Sequence, residues 1–451
     1  MKKIGFIALA HPDYISDGRA KEFAERAVGV AEKNGYRAVF SGRLACDTEA
    51  ALRDALEILR SDVCGTVLFL ASWLECPVAM TAVKELCGMP LFLWGFPMWE
   101  EDGREMSTGS YVSYAMFRGV LSRIGRNFRE SLGMPGDRET DAAFLSFCRA
   151  AYAKKRLSRS KIGLVGYSSM SIYTGTFDHV LMRYTIGPEI VQSDSYSLIR
   201  CAESTGKNER DAALERLRAD AFIPDTVLPE MLDKAMGLYL AIEKLRCGQG
   251  LDALNCKCQY EFSKEYGMTL CVPLSMAAAE DFVTSCEGDI LCTVSMLIMN
   301  YLTGQVIAYG DAINHKGNVL KLSPCGFMPY KLAAGRREVR NFMEGVGFTG
   351  IQNSFTMKPG RVTLLRLVED IGGYHFLCTA GEGLADTKLR QGCMPALDVI
   401  PDCDTSELAR HYAGQHFALC YGDVTEDISG LAGMLGIGCT ILSGSRKEER
   451  S

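Results

Sequence analysis

Three residues far apart in the chain have the types needed for one piece of chemistry. Glu287 opens the run Glu287-Gly288-Asp289, and Asp311 closes Tyr309-Gly310-Asp311. His416 stands in Gln415-His416-Phe417-Ala418-Leu419, a polar residue entering an apolar strand. Two carboxylates and one imidazole form an oxygen-rich donor set that suits manganese or magnesium rather than zinc. A helix N-terminus favours the acids' charge modestly, and a divalent cation favours it far more. Each residue also has a plainer reading. Glu287 fits an acidic residue near a helix start, Asp311 a turn residue at a strand end, and His416, one of six histidines, a satisfied structural side chain.

The elements between them decide whether they meet. Asp289–Leu302 reads as one helix, apolar on most sides and so largely buried, with Gly304 ending it and Val306–Tyr309 returning as a strand. About fourteen helical residues rise roughly 21 Å, and about seven extended residues to Asp311 return on the order of 23 Å. The near-equal lengths bring Glu287 and Asp311 to the same end of the unit. Asp289 is read as supporting the helix start rather than binding metal.

The chain that must carry these elements has 451 residues, too many for one ordinary domain. Its apolar share of 47% and charged share of 23% are globular values, which excludes wholesale disorder. A net charge of −6 without a basic stripe argues against nucleic acid as the main partner. No segment approaches eighteen uninterrupted apolar residues, so no membrane span is expected. Eighteen cysteines without a secretion signal point to a reducing cytoplasm, and most read as small core residues. Cys256-Lys257-Cys258 is the tightest pair, read on alternating strand positions, and two cysteines alone do not make a zinc site.

Strand and helix signals alternate from Ile4 to Trp94: strands at Ile4–Leu9, Tyr36–Phe40, Cys64–Ala71 and Pro90–Trp94, with helices between, one of them capped by Asp47. Helical segments at about Tyr111–Leu132 and Asp141–Arg156 follow, then a basic linker from Lys154 to Lys161 and a fresh strand at Ile162–Tyr167. From about Gln305 the segments have strand composition broken by Gly, Pro and Asn, with one late helix near Ile428–Leu435. The expected fold class is α/β: two doubly wound parallel-sheet domains, 1–157 and 158–303, the second carrying Glu287. A β-rich C-terminal domain, 304–451, carries Asp311 and His416. No phosphate loop or Gly-x-Ser-x-Gly elbow occurs, and Gly163–Gly166 lacks the full dinucleotide fingerprint, so hydride transfer and serine hydrolysis have little support.

The pattern resembles the L-fucose isomerase family, related to L-arabinose isomerases. Carrying the resemblance are Glu287-Gly288-Asp289, the apolar helix, Leu302-Thr303-Gly304 and the strand closing on Asp311. Gln415-His416, Gly422-Asp423 and the Leu431–Ile437 segment match the family's C-terminal signature; Asp17-Gly18-Arg19 and Ser72-Trp73-Leu74-Glu75-Cys76-Pro77 match near the start. The likeness spans most of the chain in the same order. It implies an aldose–ketose isomerase with a divalent cation, typically manganese and otherwise magnesium or another ion, on Glu287, Asp311 and His416. Glu287 and Asp311 are then also the proton-transfer carboxylates.

For the sugar, the resemblance implies Arg19, Trp73, Lys257, Gln259 and Cys325 as contacts. Trp73 would reach a neighbouring subunit's site in a hexamer, and the protein would be cytoplasmic. Trp73 also reads as an interface anchor and Arg19 as a loop cap through Asp17. This chain is shorter than classical fucose isomerases, mainly in its last third. Its substrate is therefore open, including modified hexoses such as sulfonated ones (sulfoquinovose), with Arg19 and Lys257 as spare cations for an anionic substituent. The contrasting reading is a sugar-binding or sensor protein without catalysis.

Overall fold

The computed structural model describes residues 2–15, 18–168, 171–343 and 347–444; Asp17 of the Asp17-Gly18-Arg19 match lies outside them. The chain forms two compact units, one within 1–155 with 433–435, the other within 156–432 with 436–451. No described helix is long and apolar enough to cross a membrane.

In the first unit, five strands lie parallel in the order Arg37–Ala45, Lys3–Leu9, Thr66–Leu70, Leu91–Gly95 and Arg129–Leu132. Alternate strand residues feed opposite faces, as a sheet covered on both sides requires. Ile4, Phe6 and Ala8 pack with Phe23, Ala27 and Phe147 of two helices. Ile7 and Leu9 pack with Ala55, Ile58, Ala79 and Phe117 of three others. Asp47 caps its helix as expected, accepting from the Ala50 amide at 2.8 Å.

Two local expectations fail. The helix expected over 111–132 stops at Arg123, and Arg129–Leu132 becomes the edge strand beside Leu91–Gly95. Gly125 leaves the helical conformation at φ 64°, and the edge position tolerates the charged Arg129 and Glu130 that hide the strand's pattern. The basic linker is not a linker at its start. Lys154 to Arg156 end the helix Arg138–Leu157, where cations suit the helix's negative terminus.

The second unit contains two large sheets and an antiparallel pair, Glu338–Asn341 with Ile351–Ser354. One is parallel, in the order Val283–Cys286, Ala253–Cys256, Lys161–Val165, Glu189–Ser193. The other is mixed and mostly antiparallel. Its strands Gly360–Asp370, His416–Tyr421, Ala308–Lys316, Val319–Ser323, Leu397–Pro401 and Gly373–Gly383 close on themselves through the pairing of the first with the last. Gly438–Ile441 adds in parallel to Gly373–Gly383. The α/β class, with parallel sheets followed by a β-rich region, is thus the fold observed.

The helix Ile290–Thr303 touches both large sheets, packing on Ala253–Cys256 and Val283–Cys286 and on His416–Tyr421 and Gly360–Asp370. Every residue from Ile290 to Leu302 is buried. Each large aliphatic side chain buried there stabilises by about 1.5–3 kcal/mol relative to exposure. Gly304 ends the helix at φ 71°, in the left-handed cap expected of it.

The packing of the first sheet is tight enough to test at one atom. A Cβ on Gly65 would stand 2.9 Å from Phe147 Cζ and 3.2 Å from the Pro90 carbonyl oxygen. Gly65→Ala is expected to cost about 1–3 kcal/mol, read as a lowered urea midpoint with an unchanged slope.

Candidate functional site

The carboxyl ends of the parallel strands supply the first part of the site. Val283–Cys286 runs into Glu287, whose φ of 72° is a left-handed conformation rare outside glycine, and Gly288 repeats it. The turn is pinned by Asn255 on the adjacent strand. Asn255 Oδ1 accepts from the Gly288 amide at 2.8 Å, while its Nδ2 donates to the Cys286 carbonyl at 3.1 Å and Thr293 Oγ1 at 2.9 Å. Glu287's own amide bonds the Cys256 carbonyl at 3.2 Å. This backbone aims a nearly buried carboxylate, 4% exposed, away from its strand.

The second part comes from the mixed sheet. Asp311 and His416 are direct antiparallel partners, and Ser323 faces Asp311 from the other side. His416 is fully buried, edge-on to the Tyr309 ring with centroids 5.1 Å apart. Its Nε2 lies 3.2 Å from Glu287 Oε2 and 3.2 Å from Asp311 Oδ1. The three residues singled out from the sequence therefore converge.

Asp289 does more than start the helix. Its Oδ1 accepts from the Cys292 amide at 2.9 Å, while Oδ2 faces His416 Nδ1 at 2.8 Å. That same Oδ2 takes the guanidinium of Arg366, itself fully buried. Arg366 also donates to the Thr174 carbonyl at 2.6 Å. Burial raises a carboxyl's pKa, but Arg366 and then His416 outweigh it and hold Asp289 well below the usual range.

An ionised Asp289 fixes the tautomer of His416: Nδ1 donates to it, and Nε2 turns its lone pair toward two carboxylates. Among the described residues Nε2 has no hydrogen-bond partner. Three electron-rich atoms at that spacing need a cation among them, either a proton on the ring or a metal ion. Burial opposes the charged ring, yet the contacts with Asp289, Asp311 and Glu287 push the His416 pKa well above its ordinary value. The orphaned nitrogen and paired carboxylates fit a divalent cation. Glu287, Asp311 and Cys325 also present ligand atoms within 4.8 Å of one another.

The remaining predicted residues fall in several places. Lys257 and Gln259 follow the strand Ala253–Cys256 at the same carboxyl edge as Glu287. The strand ends at Cys256, so Cys256 and Cys258 are not alternating strand positions as expected; the chain turns at Tyr260, whose φ is 73°. Lys257 is fully buried, ion-paired with Glu261, and 3.7 Å from the Tyr167 ring centroid. Gln259 is buried and accepts from the Cys258 thiol.

Arg19 and Trp73 belong to the first unit. Arg19 makes a two-pronged pair with Glu101, at 3.0 and 2.7 Å, and Trp73 packs on His11 with centroids 4.9 Å apart. Neither Arg19 nor Lys257 is therefore a spare cation: each has a carboxylate partner. Arg366 and Asn255 were missed. Arg366 had a signal, a lone guanidinium within Leu364-Leu365-Arg366-Leu367-Val368, since an arginine in an apolar strand demands a buried acid.

No family model matches the chain. It is similar to a sulfoquinovose isomerase of Priestia aryabhattai, 25% identical over 397 residues that cover 86% of this chain and 87% of the relative. A sulfoquinovose isomerase of Priestia megaterium matches to the same extent. One of Alkalicoccus urumqiensis is 26% identical over 370 residues, covering 77% of this chain and 79% of its own.

The buried charge chain gives a stability prediction with a definite sign. Asp289's folded pKa is below its unfolded value of about 3.9. Its contribution is then fully present above that value and lost as pH falls through the depressed one. Asp289→Asn should flatten the acid limb of a stability-versus-pH curve. Arg366→Met should cost about 3–5 kcal/mol in urea unfolding near neutrality, because it strands a buried carboxylate. A wild-type-like Arg366→Met would contradict the pairing.

Proposed function

We propose that this chain is an aldose–ketose isomerase and that its sugar carries a sulfonate. The observation that carries the reading is the meeting of Glu287, Asp311 and His416 at one buried point. The sulfoquinovose isomerases similar to it along most of their length supply the sulfonated substrate. The likeness of Glu287-Gly288-Asp289 and Gln415-His416 to L-fucose isomerases supports the same reaction type.

Moving a carbonyl from C1 to C2 takes a proton off one carbon and returns one to its neighbour through a cis-enediolate. Glu287 and Asp311 each stand 3.2 Å from one imidazole nitrogen, with carboxylate oxygens within 4.8 Å of one another, and so can serve as a pair: one exchanges the carbon-bound proton, the other relays the proton between the two oxygens. His416 is oriented by Asp289 and Arg366 so that its Nε2 faces the same point. Glu287, Asp311 and His416 would hold a divalent cation, whose positive charge would stabilise the oxyanion that develops when the carbon is deprotonated. The burial of Glu287 and His416 keeps water from competing for that charge.

Lys257 is the side chain we place against the sulfonate, because it leaves the same sheet edge as Glu287. It would exchange its carboxylate partner, Glu261, for the substrate's anion. The hexamer, and Trp73 in a neighbouring subunit's site, remain part of this proposal on the strength of the family resemblance.

The test is proton exchange. In deuterated water with manganese, the enzyme should convert sulfoquinovose to its ketose with deuterium bound to carbon, faster than it converts glucose, fucose or arabinose. Glu287→Gln should fold and lose at least about a hundredfold in turnover, and His416→Ala should lose bound metal in dialysis. Wild-type turnover by both variants, or no deuterium uptake into any sugar, would refute the assignment and favour a binding protein.

A further inference from the structure

The cation reading leaves the site's sulfur atom unexplained. Cys325 lies two residues beyond Ser323, the strand partner of Asp311, in a turn the structure holds firmly. The Asn353 amide and Nδ2 donate to the Gly326 carbonyl at 3.0 and 2.9 Å. Gly326, at φ 128°, packs so closely on Gln352 that a Cβ there would stand 2.7 Å from that residue's Cβ. The turn thus delivers Sγ to a fixed place.

That place is beside the two carboxylates. Sγ lies within 4.8 Å of a carboxylate oxygen of each of Glu287 and Asp311. The independent mark of a ligand at this point is His416 Nε2, fully buried, without a hydrogen-bond partner among the described residues and 3.2 Å from each of the same two carboxylates. The neighbouring thiols are placed differently. Cys258, Cys271 and Cys286 are buried, and Cys286 faces Tyr309 Oη at 2.6 Å; Cys325 is only partly buried.

We propose that Cys325 is a fourth protein ligand of the cation, so that the site takes a borderline divalent ion such as cobalt, iron or zinc in preference to magnesium. This rests on the reading above that the site holds a cation. The sulfur binds as thiolate, its proton passing to solvent as the ion enters. One soft sulfur joined to one imidazole and two carboxylates shifts preference toward such ions and away from those that favour all-oxygen surroundings.

Cobalt(II) alone, added to chelator-stripped full-length protein, separates the possibilities. Wild type should bind one cobalt per chain by equilibrium dialysis and show a near-ultraviolet sulfur-to-cobalt charge-transfer band. Cys325→Ser and Cys325→Ala, with circular dichroism reporting their folding, should lose the band. They should still bind cobalt, more weakly by at least about tenfold, since even outer-shell partners of a metal are worth that much. Cobalt bound by wild type without the band, or a band that persists in folded variants, overturns the sulfur ligand and leaves the cation site standing. No cobalt bound by wild type, with none bound by His416→Ala either, overturns both.

Discussion

The contact on which the rest of the site depends is the buried chain Arg366, Asp289, His416. Two fully buried groups and one nearly so would be costly apart, because a charge stripped of water needs a partner at hydrogen-bond distance. Together they fix one imidazole in one tautomer. The consequence reaches the ring's far side, where Nε2 faces Glu287 and Asp311 with no donor among the described residues to satisfy it. A structure seeking only stability would place an apolar pair there; a concentrated set of like donors is the signature of a site meant to receive positive charge.

The fold brings these groups together by joining two kinds of sheet. Parallel strands deliver Glu287 and Lys257 at their carboxyl ends, and an antiparallel pairing sets Asp311 opposite His416. The buried helix Ile290–Thr303 packs on strands of both sheets and begins at Asp289, so its packing transmits the position of one sheet to Asp311 and His416 on the other. The left-handed Glu287 is strain that this surrounding structure, and Asn255 in particular, holds in place.

Much of this was legible in the sequence where periodicity and length carried it. The apolar run after Asp289, its glycine stop and the matched return length together bring Glu287 and Asp311 to one end, and the helix bounds agree within a residue. His416 was legible by its type, a polar residue entering an apolar strand, although only the strand pairing shows why it meets Asp311. What escaped depends on contacts between distant segments. Arg366 pairs with an acid 77 residues away, and Asn255 binds a turn more than thirty residues on. The edge strand Arg129–Leu132 escaped for another reason: an edge needs no alternating apolar pattern, so nothing in its composition separates it from the helix before it.

The chemistry of this site depends on a cation at the point between Glu287, Asp311 and His416 Nε2. Anomalous scattering from crystals grown with manganese locates that ion without reference to activity. A single strong peak bounded by those three side chains, with Asp289 still on Nδ1, is the expected result. A peak elsewhere, with Nε2 hydrogen-bonded to a carboxylate and no ion beside it, would contradict it.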